Sequence, residues 1–198
     1  MKQDYLIDRD LIKKTLAGDT NAFRIIISNT QGLVLQIIYK LINNQEDRED
    51  LAQEVYLKVY SKLSSFKFNA KLSTWIGTIT YNTCINYLEK KRITILDIDT
   101  HDDIDMWNAI TNNSIHTSQN ITENLVLKNE RARILEIEIE KLPPIYKTII
   151  TLFHSEELSY KEISKITNLP EGTLKNYLFR ARKKLRENIS FNYKKEDL

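Results

Sequence analysis

Apolar positions in the first half of the chain recur every three or four residues, the period of helices that bury one face. From Asp10 to Asn43 this pattern predicts two helices hinged at Gly18-Asp19, with Leu11, Leu16, Phe23, Ile27, Leu35 and Ile38 as core candidates and Asn43-Asn44 as the stop. A third helix, Asp47 to Leu63, carries Leu51, Val55 and Val59 on one face at fourfold spacing. Asp50, Gln53, Glu54 and Leu57 form a neighbouring stripe, so the first stripe should be core and the second open to a partner. After the loop SSFKFNAKLS, a fourth helix from Thr74 to Arg92 turns Ile76, Ile79 and Thr83 inward. It ends in Lys90-Lys91-Arg92, cations suited to the negative end of the helix dipole.

Residues 93 to 122 lose this period and are rich in Asp, Asn, Thr and Ser, which reads as a linker. The following ILEIEIE alternates apolar and acidic residues and fits a strand on period alone. Helix is preferred, because Leu125, Ala132, Leu135, Ile139 and Leu142 also fit a helical stripe and no partner strand follows. Pro143-Pro144 ends it, and a short helix from Ile145 to about His154 should turn Ile149, Leu152 and Phe153 inward.

The most specific local signal is LSYKEISKITNLPEGTLKNYLFRARKKLRE, residues 158 to 187. Ser159 and Glu162 form a capping box that opens a short helix with Ile163 and Ile166 on one side. Asn168-Leu169-Pro170 and Gly172 break the chain, and a second helix follows with Leu174, Leu178, Ala181 and Leu185 inward. This is a helix-turn-helix pattern, whose second helix enters the major groove of DNA. Its other side bears Lys175, Asn176, Phe179, Arg180, Arg182 and Lys183. Arg and Lys suit guanine edges and phosphates, Asn suits adenine, and an aromatic ring suits a thymine methyl. A solvated basic face on a terminal helix would supply the same charges; the capped first helix and sharp turn favour DNA. The fold class that emerges is all-α, two small helical domains (1–92 and 123–198) joined by a polar acidic linker (93–122).

Composition agrees with that class. A length of 198 residues fits two small modules, 41% hydrophobic residues can close a core in each, and 4 Gly with 3 Pro leave little material for hairpins. The net charge of +2 hides a division. Residues 1–92 hold 14 Lys and Arg against 10 Asp and Glu, residues 93–122 none against 5, and residues 123–198 hold 15 against 12, with the excess after Glu171. A basic end and an acidic middle suggest a polyanion met by one part of the chain and avoided or mimicked by another. The single Cys84 cannot pair within the chain, the start MKQDYLIDRD is charged where a signal peptide is apolar, and no run approaches a membrane span, so the cytoplasm is the simplest compartment. His101, His116 and His154 are scattered with only Cys84 as a soft partner, which gives no metal site. No phosphate loop or nucleophile–base pair is present, so no catalytic residue, cofactor or small-molecule substrate is expected.

The block from Leu142 to Leu185, LPPIYKTIITLFHSEELSYKEISKITNLPEGTLKNYLFRARKKL, resembles the promoter-reading C-terminal domain of extracytoplasmic-function sigma factors. EDREDLAQEVYLKVYSKLSSF followed by STWIGTITYNTCINYLEKKR resembles their N-terminal domain, in the right order. The resemblance implies a subunit that binds core RNA polymerase and reads the minus-ten and minus-thirty-five elements of promoter DNA. It implies polymerase docking through Asp50, Leu51, Gln53, Glu54 and Leu57. It implies minus-ten contacts from the fourth helix and the loop before it: Phe66, Lys67, Asn69, Lys71, Trp75, Asn82, Asn86, Lys90 and Arg92. Asn82 and Asn86 lie four apart on one face, and their amides suit base edges without added charge. Trp75 has two readings, a base-facing ring or a core ring. Glu89 departs from the family's usual basic pattern and argues against a phosphate contact there. The linker aspartates Asp97, Asp99, Asp102, Asp103 and Asp105 could mimic nucleic-acid charge in the polymerase's RNA path, or merely solubilise a tether. An anti-sigma factor is an expected partner by the same resemblance. The rivals are a stand-alone helix-turn-helix repressor or activator, which would leave residues 45–92 without a job, and a helical adaptor that binds only protein.

Overall fold

The computed structural model describes residues 2–93 and 130–193. They form eight helices and no strand: α1 (Lys2–Leu16), α2 (Thr20–Leu41), α3 (Gln45–Lys62), α4 (Leu72–Ile93), α5 (Glu130–Glu140), α6 (Pro144–His154), α7 (Tyr160–Thr167) and α8 (Glu171–Asn192). The all-helical expectation holds, ILEIEIE included. Past Ile93 the acidic linker, with its five aspartates, His101 and His116, lies outside the described residues, as does Leu125.

Each boundary has a local cause. Gly18 adopts φ +95°, which only glycine takes without strain, and Asp19 then caps α2 by accepting from the Asn21 and Ala22 amides at 2.9 and 3.2 Å. Asn44 caps α3 by accepting from the Asp47 amide at 3.1 Å. Pro144 occupies the first turn of α6, where its missing N–H costs nothing. Asn168, at φ 57°, closes α7 and makes the turn to α8.

The buried stripes of α3 and α8 are those the spacing predicts: Leu51, Val55 and Val59, and Leu174, Leu178, Ala181 and Leu185. Three other stripes match only in part: Leu11, Ile38 and Leu142 are buried as expected, and other members are not. Leu16 and Leu35 are exposed, and α1 and α2 bury Leu11, Ile12, Ile26, Val34 and Ile37 beside Ile38. Ala132 and Leu135 of α5 also face out, while Ile134 and Glu138 face in. The Glu138 carboxylate takes the Lys141 ammonium at 2.5 Å and the Tyr193 hydroxyl at 3.3 Å.

The two halves pack on each other, α2 against α6 and α4 against α7. Ile166 of α7 lies fully buried over Gly77 of α4. A β-carbon on Gly77 would come within 3.0 and 3.2 Å of the Ile166 side chain and 3.4 Å of Leu33. Polar contacts rim this seat. Lys71 pairs with Glu162 at 2.8 Å, Lys165 donates to the Asn69 carbonyl at 2.9 Å, and Thr78 donates to the Lys165 carbonyl at 3.2 Å. Across the α2–α6 contact, Glu140 bonds both Lys40 and, at 3.2 Å, the nearly buried Lys147. Burial lowers the Lys147 pKa, as burial disfavours an ammonium, although the carboxylate opposes the shift.

Gly77→Leu should force the halves apart while sparing α4, because leucine is the better helix former. The expected result is a larger radius of gyration by solution scattering with undiminished helical circular dichroism. An unchanged radius would show that Ile166 is not seated as described.

Glu162 supplies a pH test. Burial favours its neutral form, but bonds from Lys71 and Ser159 outweigh burial and hold the carboxyl at about 2, below the ordinary 4.5. A carboxyl depressed in the folded state contributes stability that is complete above 4.5 and lost as pH falls toward 2. Urea midpoints measured across that window should fall less steeply for Glu162→Gln than for the unmodified chain.

Candidate functional site

Three surfaces collect the residues singled out above. On α3, Asp50, Gln53, Glu54 and Leu57 are all exposed beside the buried stripe, and Leu57 is 71% exposed. Glu54 pairs with Lys58 one turn on, at 2.6 Å. Leu51 does not belong to this face. At 2% exposure it is part of the core, because it stands on the Val55 and Val59 side of the helix. Tyr60 continues the exposed face by one turn, its ring edge-on to Phe23 at 5.0 Å. The same stripe spacing, extended by three residues from Leu57, finds it.

The second surface is the loop from Phe66 and the outer face of α4. Phe66 is 8% exposed and stacks on Phe68 and Trp75 at 4.7 and 5.2 Å between centroids, so it is a core ring and not a free base platform. Trp75 is half-buried and its ring packs on Phe66, which leaves both of its readings open. At 100° per residue, Trp75, Asn82 and Asn86 fall within about 40° of one another on α4. Both asparagines are exposed. Glu89 is exposed near the same line, so that end of the face carries a negative charge. Lys67, Asn69, Lys71 and Lys90 are exposed as well, but Lys71 and the Asn69 carbonyl are engaged by α7. The Arg92 side chain lies outside the described residues.

The third surface is α8. Ser159 accepts from the Glu162 amide at 3.3 Å while Glu162 accepts from the Ser159 amide at 2.9 Å, the reciprocal cap expected from the sequence. Ile163 and Ile166 are buried beneath it, which fixes α7 against the core. Lys175, Asn176, Phe179, Arg180, Arg182 and Lys183 are all exposed, Phe179 at 66%. An aromatic ring this open on a basic helix has no packing role within the described residues. Two of the cations already rest on rings. Lys175 lies over Tyr160 at 5.6 Å, and Arg182 lies over Phe153 at 5.4 Å and bonds His154 at 3.1 Å. The sequence reading missed His154 and Tyr160, which lie outside the helix that carries the cations and come to it only through folding. Cys84 is fully buried and its thiol is pushed up to about 12 by burial, so it stays protonated and unreactive.

A family model described as Sigma-70 region 2 matches residues 26–93, and one described as Sigma-70, region 4 matches residues 133–185. The chain is 32% identical over 181 residues to the ECF RNA polymerase sigma factor SigW of Bacillus subtilis, covering 90% of this chain and 94% of that protein. It is 32% identical over 189 residues to the ECF RNA polymerase sigma-E factor of Haemophilus influenzae, covering 94% of this chain and 97% of the relative. Among solved structures, CnrH in complex with the cytosolic domain of CnrY has the same fold, with a TM-score of 0.60, 16% identity, and coverage of 94% of this chain and 99% of that one. The sigma factor RpoE in complex with the anti-sigma factor NepR from Bartonella quintana gives 0.59 at 20% identity, over 86% and 98% of the two chains. With both sigma regions present in order and relatives matched nearly end to end, this chain belongs to the ECF RNA polymerase sigma factors.

Proposed function

We propose that this non-enzymatic alternative sigma factor divides its work among the three surfaces. Residues 1–92 dock on core RNA polymerase and capture the melted minus-ten strand, residues 123–198 read the minus-thirty-five duplex, and residues 93–122 span the distance between them. The observation that carries the docking assignment is the exposed Gln53 and Leu57 stripe set beside the buried Leu51, Val55 and Val59 stripe. An apolar side chain as open as Leu57 contributes nothing to the core of its own half and suits a partner's pocket.

On α4, Asn82 and Asn86 read unstacked bases with Trp75 beside them, since an extruded base needs a stacking surface and an uncharged donor–acceptor pair. Phe66 supports Trp75 from behind. On α8, Asn176, Phe179, Arg180 and Lys183 face the major groove. An anti-sigma factor fits as a partner, since the structural neighbour RpoE is a sigma factor in complex with the anti-sigma factor NepR. The working compartment is the cytoplasm. No described helix is long and apolar enough to cross a membrane, and the homologous factors serve RNA polymerase.

The direct test is run-off transcription with purified core polymerase on a genomic promoter library. The double variant Gln53→Ala, Leu57→Ala should melt near the wild-type temperature, because exposed substitutions shift stability by only about 0.5 kcal/mol. It should nevertheless lose about 2 kcal/mol or more of core binding and fail in pull-down, with transcription restored by excess core. Retention of full core affinity would move the docking surface elsewhere.

Asn82→Ala with Asn86→Ala should bind core normally yet open promoters poorly, because their partners are exposed only after melting. Permanganate reactivity of minus-ten thymines measures this directly, and normal reactivity would remove both asparagines from the site.

A further inference from the structure

Three aromatic residues outside the recognition helix, Phe153, His154 and Tyr160, meet at the junction of α6 and α7. Phe153 packs edge-on to His154 and tilted on Tyr160, each at 5.0 Å between centroids. Two cations of α8 rest on this cluster. The Lys175 ammonium lies 5.6 Å from the Tyr160 ring centre. The Arg182 guanidinium lies 5.4 Å from the Phe153 ring centre and 3.1 Å from His154 Nε2. Lys175 and Arg182 are seven residues apart, two helical turns, and so stand about 10 Å from each other along α8.

Their direction differs from that of the other polar residues. Taking 100° per residue, Lys175 and Arg182 sit on the flank of the buried Leu174, Leu178, Ala181 and Leu185 stripe. Asn176 and Lys183 point nearly opposite that stripe, with Phe179 and Arg180 to either side of them. Side chains on the flank, pinned toward α6 and α7, lie at the edge of any groove that admits α8. That edge is where the phosphates run.

We propose that Phe153, His154 and Tyr160 form a platform that pre-sets Lys175 and Arg182 as a pair of phosphate clamps, leaving Asn176, Phe179, Arg180 and Lys183 to read bases. The proposal rests on α8 being the DNA-reading helix and assigns the division of labour within it. The chemistry is direct. A guanidinium has five N–H donors and His154 takes one, so the rest remain for a phosphate. For Nε2 to accept that bond, the imidazole must be neutral with its proton on Nδ1. Burial and the Arg182 charge both lower the His154 pKa, which favours that neutral form. A cation held on a ring before binding loses less rotamer freedom when DNA arrives. Phosphate contacts orient a protein on the duplex without reading its sequence, so the platform sets register while the opposite face supplies discrimination.

The test uses holoenzyme, a promoter fragment recovered by the run-off selection, and a scrambled duplex of equal length, with affinity measured against salt concentration. His154→Ala should weaken both duplexes by the same factor, about three- to tenfold, and flatten the salt slope by about one unit. His154→Gln, which returns a neutral acceptor near the Nε2 position, should restore wild-type binding. In an Arg182→Ala background, His154→Ala should cause no further loss, since the two act as one unit. Tyr160→Leu should behave in the same way toward Lys175→Ala. Independent, multiplying losses would overturn the platform, as would a loss confined to the promoter fragment or failure of glutamine to rescue. Arg180→Ala is the separate control on the recognition-helix reading: it should weaken only the promoter fragment. An Arg180→Ala holoenzyme that still prefers the promoter at full strength would overturn that reading and the platform with it, whereas multiplying losses at His154 alone would leave the reading intact.

Discussion

The seat of Ile166 on Gly77 is the contact on which the rest of the arrangement depends. Helix α4 packs on α2 and α3 within its own half and on α7 of the other, and only a residue without a side chain lets α7 come this close. Three sides of α4 are thereby committed. The side that remains carries Trp75, Asn82 and Asn86, so the candidate base-reading face is defined as much by what the other sides bury as by its own residues. The same seat fixes α7. Because the capping box aims α7 and the turn at Asn168 aims α8, it also determines which way the basic helix points.

How much of this was legible in the sequence depended on how unambiguous each stripe is. In α3 and α8 the apolar residues are isolated among polar ones, so Val55 or Leu178 could only face inward. In α2 the runs Ile25-Ile26-Ile27 and Leu33-Val34-Leu35 are apolar all round, period alone could not select the inward member, and Leu35 was placed on the wrong side. In α5 the error had another cause. Glu138 is buried with Oε1 bonded by Lys141 and Tyr193 and Oε2 unpartnered, and a partner 55 residues away leaves no trace in local pattern. The candidate site divided along the same line. The polar candidates on the helices are exposed as their spacing predicts, while Leu51 and Phe66, read as contact residues, are buried. His154 and Tyr160 were passed over because their relation to α8 exists only in three dimensions.

Charge in this protein is placed by support as well as by solvent. Lys147 is almost wholly buried yet reaches Glu140, which also engages Lys40. Removing Glu140 from this triad is the costly break, since it strands the buried Lys147 ammonium without its carboxylate. Lys175 and Arg182 of α8 represent the opposite case, exposed residues whose charges rest on rings. Net charge alone, at +2, distinguishes neither arrangement.

Lys71 carries one positive charge and stands where two halves of the molecule meet, its ammonium given to Glu162. It cannot neutralise a second anion in full without releasing the first. Any polyanion that draws on Lys71 therefore competes with the packing of α7 on α4. Linkage makes the competition reciprocal: the factor by which the carboxylate weakens the polyanion's hold is the factor by which the polyanion loosens the two halves. For a polyanion that draws on it, this single ammonium in the loop before α4 would tie binding there to the packing of α7 on α4.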